Sequence, residues 1–448
     1  MKLPLLGRWL IALWLPATVH AHSHPVTHVF TLDNGLKVVV REDHRAPVVA
    51  SQLWYKVGAS YEQEGQTGVS HALEHMVFKG SSKLPEGQAV KVFDSLGVSH
   101  QATTRPDATF YTQLQAKNRL AVSLEVLADQ MRSARWSEAQ LQTELQVIQK
   151  ERLTTVDHNL WSLINERLKT TAHVASTYKN PILGWMHDIQ RLPDPPLTQW
   201  YRQWYAPNNA VLVIAGDVTL AQVKAMVTEH FAALVARPLP TARPPVELHR
   251  LGRRELHLGL PSPNGKLALA FNVPSLKTAK DPQTAFGLLV LNELLASSNS
   301  SSLKVSLLHE QGLLAGAYSH YDLLNRGDGL LRLWAEISPL STQTPHDIER
   351  LIWAHFDGLK TTPVSAEILD RAKRRIITKR IYAHDHVEKQ ASELGELESI
   401  GLPWSTLDTQ SRSVLALTAS DIQQLARTYL TENRYSAAYL PGPEKKHD

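Results

Sequence analysis

Between Ala232 and His249 the chain carries a proline-rich stretch that includes Arg237-Pro238-Leu239-Pro240 and Pro244-Pro245. Proline fixes φ and donates no backbone N–H, so such a stretch suits neither a helix interior nor a central strand. It reads as a linker between two portions of about equal size. A chain of 448 residues with 43% hydrophobic content has enough apolar material for a core in each. Tyr205 to Val213 reads as a helix end, an asparagine-containing turn and a strand. Tyr429 to Ala437 repeats that order, with Asn433 standing where Asn209 does. Two ordinary helix-to-strand turns would match as well, so this repeat carries little weight alone. The expected division is a leader at 1–21, a domain at 22–235, a linker at 236–250 and a second domain at 251–448.

Met1 to Ala21 has the pattern of a secretory signal. Lys2 and Arg8 give a positive start, Trp9 to Leu15 are apolar, and Val19 and Ala21 are small residues at −3 and −1 from a cut. The apolar run is too short to span a bilayer, and no later segment is long enough. A periplasmic mature chain beginning near His22 is expected, with a retained tether as the alternative. Lys and Arg number 47 against 43 Asp and Glu, a net charge of +4 without a basic stripe, so a nucleic-acid partner is not expected. There are no cysteines. That excludes disulfides, thiolate ligands and a cysteine nucleophile, and leaves His, Asp and Glu to hold any metal.

His28 to Val40 alternates around Asn34-Gly35, a hairpin turn. Val48 to Val57 reads as a strand. Thr67 to Phe78 reads as a helix capped by Thr67 and stopped by Gly80. Trp136 to Val156 reads as a longer helix opened by Ser137 and Gln140 at capping-box spacing. Within the shorter helix stands His71-Ala72-Leu73-Glu74-His75. Positions four apart share a helix face, so His71 and His75 can present imidazole nitrogens to one metal ion. Glu74 faces the same side and can take a proton from a bound water. This is the His-x-x-Glu-His order of inverted zinc sites. A five-residue pattern also arises by chance in a chain with 21 histidines. A catalytic zinc needs a third protein ligand. Glu144 and Glu151 share one face of the longer helix, and local reasoning does not choose between them.

These segments resemble the pitrilysin-type inverzincin peptidases, which include insulin-degrading enzymes, mitochondrial processing peptidase and short bacterial members. The likeness runs from about Val29 to Pro441. It rests on Asn34-Gly35-Leu36-Lys37-Val38-Val39-Val40, on Trp54 to Glu62, on Tyr205-Ala206-Pro207-Asn208-Asn209-Ala210-Val211-Leu212-Val213 with Gly216-Asp217, and most specifically on Gly68-Val69-Ser70-His71-Ala72-Leu73-Glu74-His75-Met76-Val77-Phe78-Lys79-Gly80. The resemblance implies an α+β fold of two homologous α/β-roll domains in tandem, each a sheet backed by helices. It implies one zinc ion held by His71, His75 and Glu151, with Glu74 as catalytic base and Glu144 behind the ligands. It places substrate along an edge strand at Gln101, Ala102 and Thr103, where Gln101 replaces the family's asparagine. It also expects an Arg and a Tyr around a Gly-Leu pair in the second half. Here Gly312-Leu313 marks the register, and the two positions hold Leu308 and Ala315, neither of which donates a side-chain hydrogen bond.

The expected function is therefore a periplasmic zinc endopeptidase acting on unfolded peptides. Because short members of the family face one another across a chamber, it is expected to be the zinc-bearing half of a heterodimer whose partner supplies the Arg and Tyr. A homodimer using Tyr318 or His309 is the alternative. A non-catalytic assembly or scaffold subunit of the same fold is the rival class. A third reading, metal binding by His22, His24 and His28, has nothing to fix its geometry.

Overall fold

A computed structural model describes residues 25–248 and 251–443. The leader reading and two of the N-terminal histidines, His22 and His24, lie outside the described residues. Among the described residues eleven strands form two sheets: β1 Val26–Thr31, β2 Lys37–Glu42, β3 Val48–Tyr55, β4 Ser99–Thr104, β5 Thr109–Ala116, β6 Ala210–Gly216, β7 Arg254–His257, β8 Lys266–Val273, β9 Leu314–Tyr321, β10 Gly329–Ile337 and β11 Tyr435–Leu440. The first sheet runs β1-β2-β6-β3-β5-β4 and the second β7-β11-β8-β10-β9. The expected hairpin pairs β1 with β2, Thr31 facing Lys37, and Gly35 takes the positive φ of +85° that the turn requires. The two repeated turns, Pro207–Asn209 before β6 and Glu432–Arg434 before β11, deliver an inner strand to each sheet, so the likeness between them is structural.

Residues 235–248 run without regular structure between the sheets. Glu247 anchors this run. Its carboxylate accepts the N–H groups of Ala175 and Ser176 and stands 3.4 Å from buried His173 Nδ1.

Each sheet buries one face under helices of its own half. Leu120–Ser133 and Leu220–Phe231 cover the first, and Pro282–Leu295 and Pro345–Thr361 the second. The opposite faces are closed by exchange. Helix Leu160–Ala172 lays Ile164, Leu168 and Ala172 on Ala268, Ala270, Leu330 and Ala438 of the second sheet. Helix Val387–Ser399 lays Ala391 and Leu394 on Val39, Ala50, Trp54 and Val213 of the first. Strands covered on both faces lose period-2 alternation, and β6, β8 and β11 are buried along their whole length. The halves therefore share cores and are not separate beads on a linker.

Gly395 permits the second exchange. A Cβ there would stand 2.1 Å from Trp54 Nε1 and 2.3 Å from Cε2. Trp54 has no room to yield, because it is fully buried and stacked on Phe110 at 3.8 Å. Alanine is the better helix former by about 1 kcal/mol, yet overpacking a tight contact costs about 1–3 kcal/mol. Gly395→Ala should therefore lower the urea midpoint. An unchanged or raised midpoint would show that the helix shifts freely on the sheet.

Candidate active site

The motif helix spans Val69–Met76, shorter than the Thr67–Phe78 expected. Its first turn is not capped by Thr67. Gly68 precedes it at φ +89° and offers no side chain. The orphan N–H groups of Gly68 and Ser70 instead donate to the buried carboxylate of Glu62, at 2.7 and 2.9 Å. Burial pushes Glu62 up to about 7, against the pull of those two N–H groups. The Thr67 hydroxyl donates to Asp188 at 2.5 Å and accepts the Trp185 N–H. The helix thus starts from long-range contacts, and its four-residue repeat puts His71 and His75 on one face, their rings edge-on with centroids 4.6 Å apart.

The longer helix is Glu138–Arg152, opened by the expected Ser137/Gln140 capping box. It stops short of Val156 because the chain widens into a π-helical turn over Leu153–Asp157. Such turns recur at functional sites. Glu144 and Glu151 both face the motif helix but meet different atoms. Glu144 Oε1 lies 2.9 Å from His75 Nδ1, and its other oxygen accepts from Lys79 Nζ at 2.5 Å. Hydrogen bonding to His75, joined by Lys79, holds Glu144 down to about 2. Glu151 Oε2 stands 3.8 Å from His71 Nε2 and 3.7 Å from His75 Nε2. Those separations are too long for hydrogen bonds. They are close to the ~3.4 Å edge of a tetrahedron whose ligands sit about 2.1 Å from a central zinc. One ligand atom from each of His71, His75 and Glu151 fits within 4.8 Å of the others. Burial, and then the neighbouring His75, hold His71 down to about 3, so its imidazole is neutral, the form that ligates metal. Burial opposes a charge on His75, while Glu144, Glu74 and Glu151 favour it and leave its pKa raised. The donor set of two imidazoles and a carboxylate suits zinc.

Glu74 lies beside this group and is buried. Its Oε2 accepts the Thr104 hydroxyl at 2.5 Å. Burial raises its pKa above the ordinary carboxylate value, against the Thr104 hydrogen bond and His75. Thr104 closes β4, one of the two outer strands of the first sheet. Along that strand Gln101 is exposed and Ala102 and Thr103 are half-buried, and the side away from β5 has no strand partner among the described residues. Thr104 and Lys79 received no role from the sequence, although Lys79 stands inside the motif segment and Thr104 directly follows Thr103. Their signal is visible only in three dimensions.

In the second half, Leu308 packs against the core and Ala315 is exposed on β9, one of the two outer strands of that sheet. Neither carries a side-chain donor. Tyr318 is half-exposed and stacks on Trp334 at 5.6 Å, and His309 is exposed.

With this geometry in place, comparison with known proteins is direct. The profile described as Insulinase (Peptidase family M16) matches residues 37–185, and that described as Peptidase M16 inactive domain matches residues 196–376. A zinc protease PqqE of Helicobacter pylori is 27% identical over 442 residues, covering 95% of each chain. Cytochrome b-c1 complex subunit 1 of Rattus norvegicus is 28% identical over 212 residues, covering 47% of this chain and 44% of its own. The crystal structure of a protease from Helicobacter pylori superposes with a TM-score of 0.88 at 26% identity, covering 93% of this chain and all of that one. The chain belongs to the M16 peptidase family.

Proposed function

We propose that this chain is a zinc-dependent endopeptidase of the periplasm, acting on unfolded peptides as the zinc-bearing half of a heterodimer. One observation carries the reading: two imidazole Nε2 atoms and the Glu151 carboxylate converge on one point beside a buried glutamate. His71, His75 and Glu151 would hold the ion, one per chain. When bound, zinc supplies a water of lowered pKa and polarises the scissile carbonyl.

The chain's own residues do the rest. Glu74 takes the proton of the attacking water and returns it to the leaving amine. Burial raises its pKa above the ordinary carboxylate value, so it takes up a proton more readily than an exposed carboxylate would. Thr104 fixes the Glu74 carboxylate by donating to one oxygen, which leaves the other to meet water. Glu144, held by Lys79, fixes the His75 ring through Nδ1 and so leaves Nε2 for the metal. Substrate adds as a further strand along the free side of β4 at Gln101, Ala102 and Thr103. Main-chain hydrogen bonds then give affinity with loose side-chain preference. The leader-like Met1 to Ala21 supports export to the periplasm.

The heterodimer reading rests on Leu308 and Ala315, which leave this chain without the Arg and Tyr expected of a complete site. Oxyanion donors commonly contribute about 10²–10³ in rate, so a second chain carrying them should restore that factor. The scaffold reading draws on the same two positions and on the b-c1 relative. It does not account for the convergence of His71, His75 and Glu151. The test is cleavage of a quenched fluorescent peptide by this chain alone, by a homologous chain carrying the Arg and Tyr, and by the mixture. A gain of about a hundredfold on mixing is expected. Full activity from a homodimer of this chain defeats the heterodimer reading, and no cleavage in any arm favours a scaffold.

A further inference from the structure

The carboxylates around the motif helix are not held alike. Glu62, Glu74 and Glu144 each accept hydrogen bonds at 2.9 Å or less. The Glu151 carboxylate, among the described residues, has only the two imidazoles at 3.7 and 3.8 Å. Its side chain is also the most exposed of the three residues that converge on the candidate metal position, at 36%. No side-chain partner aims it, so the backbone at 151–152 must do so.

That backbone is pinned by the next residue. Arg152 is 2% exposed. Its guanidinium forks onto Glu166, Nη1 to Oε2 and Nη2 to Oε1, both at 2.9 Å. Nη1 also donates to the Gly184 carbonyl at 2.8 Å, and Nη2 to Asp157 at 3.2 Å across the π-helical turn. Gly184 in turn abuts the start of the motif helix. At φ +82°, a Cβ on it would fall 2.4 Å from the Thr67 carbonyl oxygen and 2.7 Å from Gly68 Cα. An unbroken run of contacts therefore joins the residue after Glu151 to the residue before Val69. It passes through one buried guanidinium and one glycine.

We propose that Arg152 is a positioning residue for the metal site, its fork on Glu166 and Gly184 setting the Glu151 end of one helix in register with the His71 and His75 end of the other. The inference rests on the zinc-site reading above. Loss of groups that orient ligands typically costs about 10–100-fold in metal affinity, and Arg152 acts one step further back, through the main chain. A buried ion pair can often be exchanged for apolar residues without loss of stability, whereas removing one partner strands the other. This separates positioning from simple structural support.

The experiment measures zinc affinity by competition with a chromophoric chelator, and the metal-free melting temperature, for the full mature chain. The variants are Arg152→Lys, Arg152→Met and Arg152→Met with Glu166→Leu. Arg152→Met should melt lower and bind zinc about tenfold or more weakly. The double variant should recover most of the melting temperature but keep the weakened affinity. Arg152→Lys, which retains the charge but not the fork, should also stay weak. Wild-type affinity in either Arg152 single variant overturns the proposal. So does a double variant whose affinity returns together with its stability. If Arg152→Met does not fold, the double variant still decides. A wild-type chain that takes up no zinc defeats the metal-site reading itself, and this inference with it. When the wild type does bind zinc, the variants judge Arg152 alone.

Discussion

His71→Ala and His75→Ala should each leave the purified chain without zinc after dialysis and without detectable peptidase activity. A structural or catalytic zinc is held by three or four protein ligands, and two of three do not retain it. The loss should exceed the about 10–100-fold penalty seen for groups that merely orient ligands. Glu151→Gln should fall with the histidine variants, since the amide carries no charge to offset the ion. Glu144→Gln should sit in the milder range, because Glu144 meets the far nitrogen of His75 and not the convergence point. Zinc content by atomic emission, measured across the four variants, reads this order directly. Should Glu144→Gln strip the metal and Glu151→Gln keep it, the two glutamates have been assigned in reverse.

Glu74→Gln should separate metal from chemistry. It should retain one zinc per chain and lose about 10²–10⁴ in kcat, the range attributed to a positioned general acid and base. The Thr104 hydroxyl can still donate to the amide oxygen, so the local packing survives the change. What disappears is the oxygen that accepts the water proton. KM should move little, because Glu74 is 8% exposed and is not among the residues at which substrate is placed on β4. A Glu74→Gln chain that still cleaves near the wild-type rate removes Glu74 from the mechanism. One that loses its zinc as well makes Glu74 a ligand.

The parts of this molecule that local chemistry governs were legible in the chain. The His71, Glu74 and His75 spacing determines that the three share one helical face, because that depends only on the 3.6-residue turn. Ser137 and Gln140 make their capping box, and Asn34-Gly35 its turn, for equally local reasons. The helix start at Gly68 was misplaced to Thr67 because its donors are satisfied by Glu62 and the surrounding loop is fastened by Asp188, 121 residues from Thr67.

The choice between Glu144 and Glu151 shows where that reach ends. They lie seven residues apart, so periodicity puts both on one face. The rise of about 1.5 Å per residue separates them by about 10 Å along the axis. Only the way the two helices lie together decides that Glu144 meets His75 Nδ1 while Glu151 approaches both Nε2 atoms. The same holds for the exchange of helices Leu160–Ala172 and Val387–Ser399 between the sheets, which no local pattern announces. By itself the chain pointed to its two α+β halves and its family, and through that likeness to the candidate site residues. Tertiary structure supplied the geometric reason that Glu151 and not Glu144 faces the candidate metal position, and it alone decided what Thr104, Lys79 and Arg152 hold and how the halves interlock. Hydrogen bonds and buried contacts between residues tens to hundreds of positions apart leave no period in the sequence to be read.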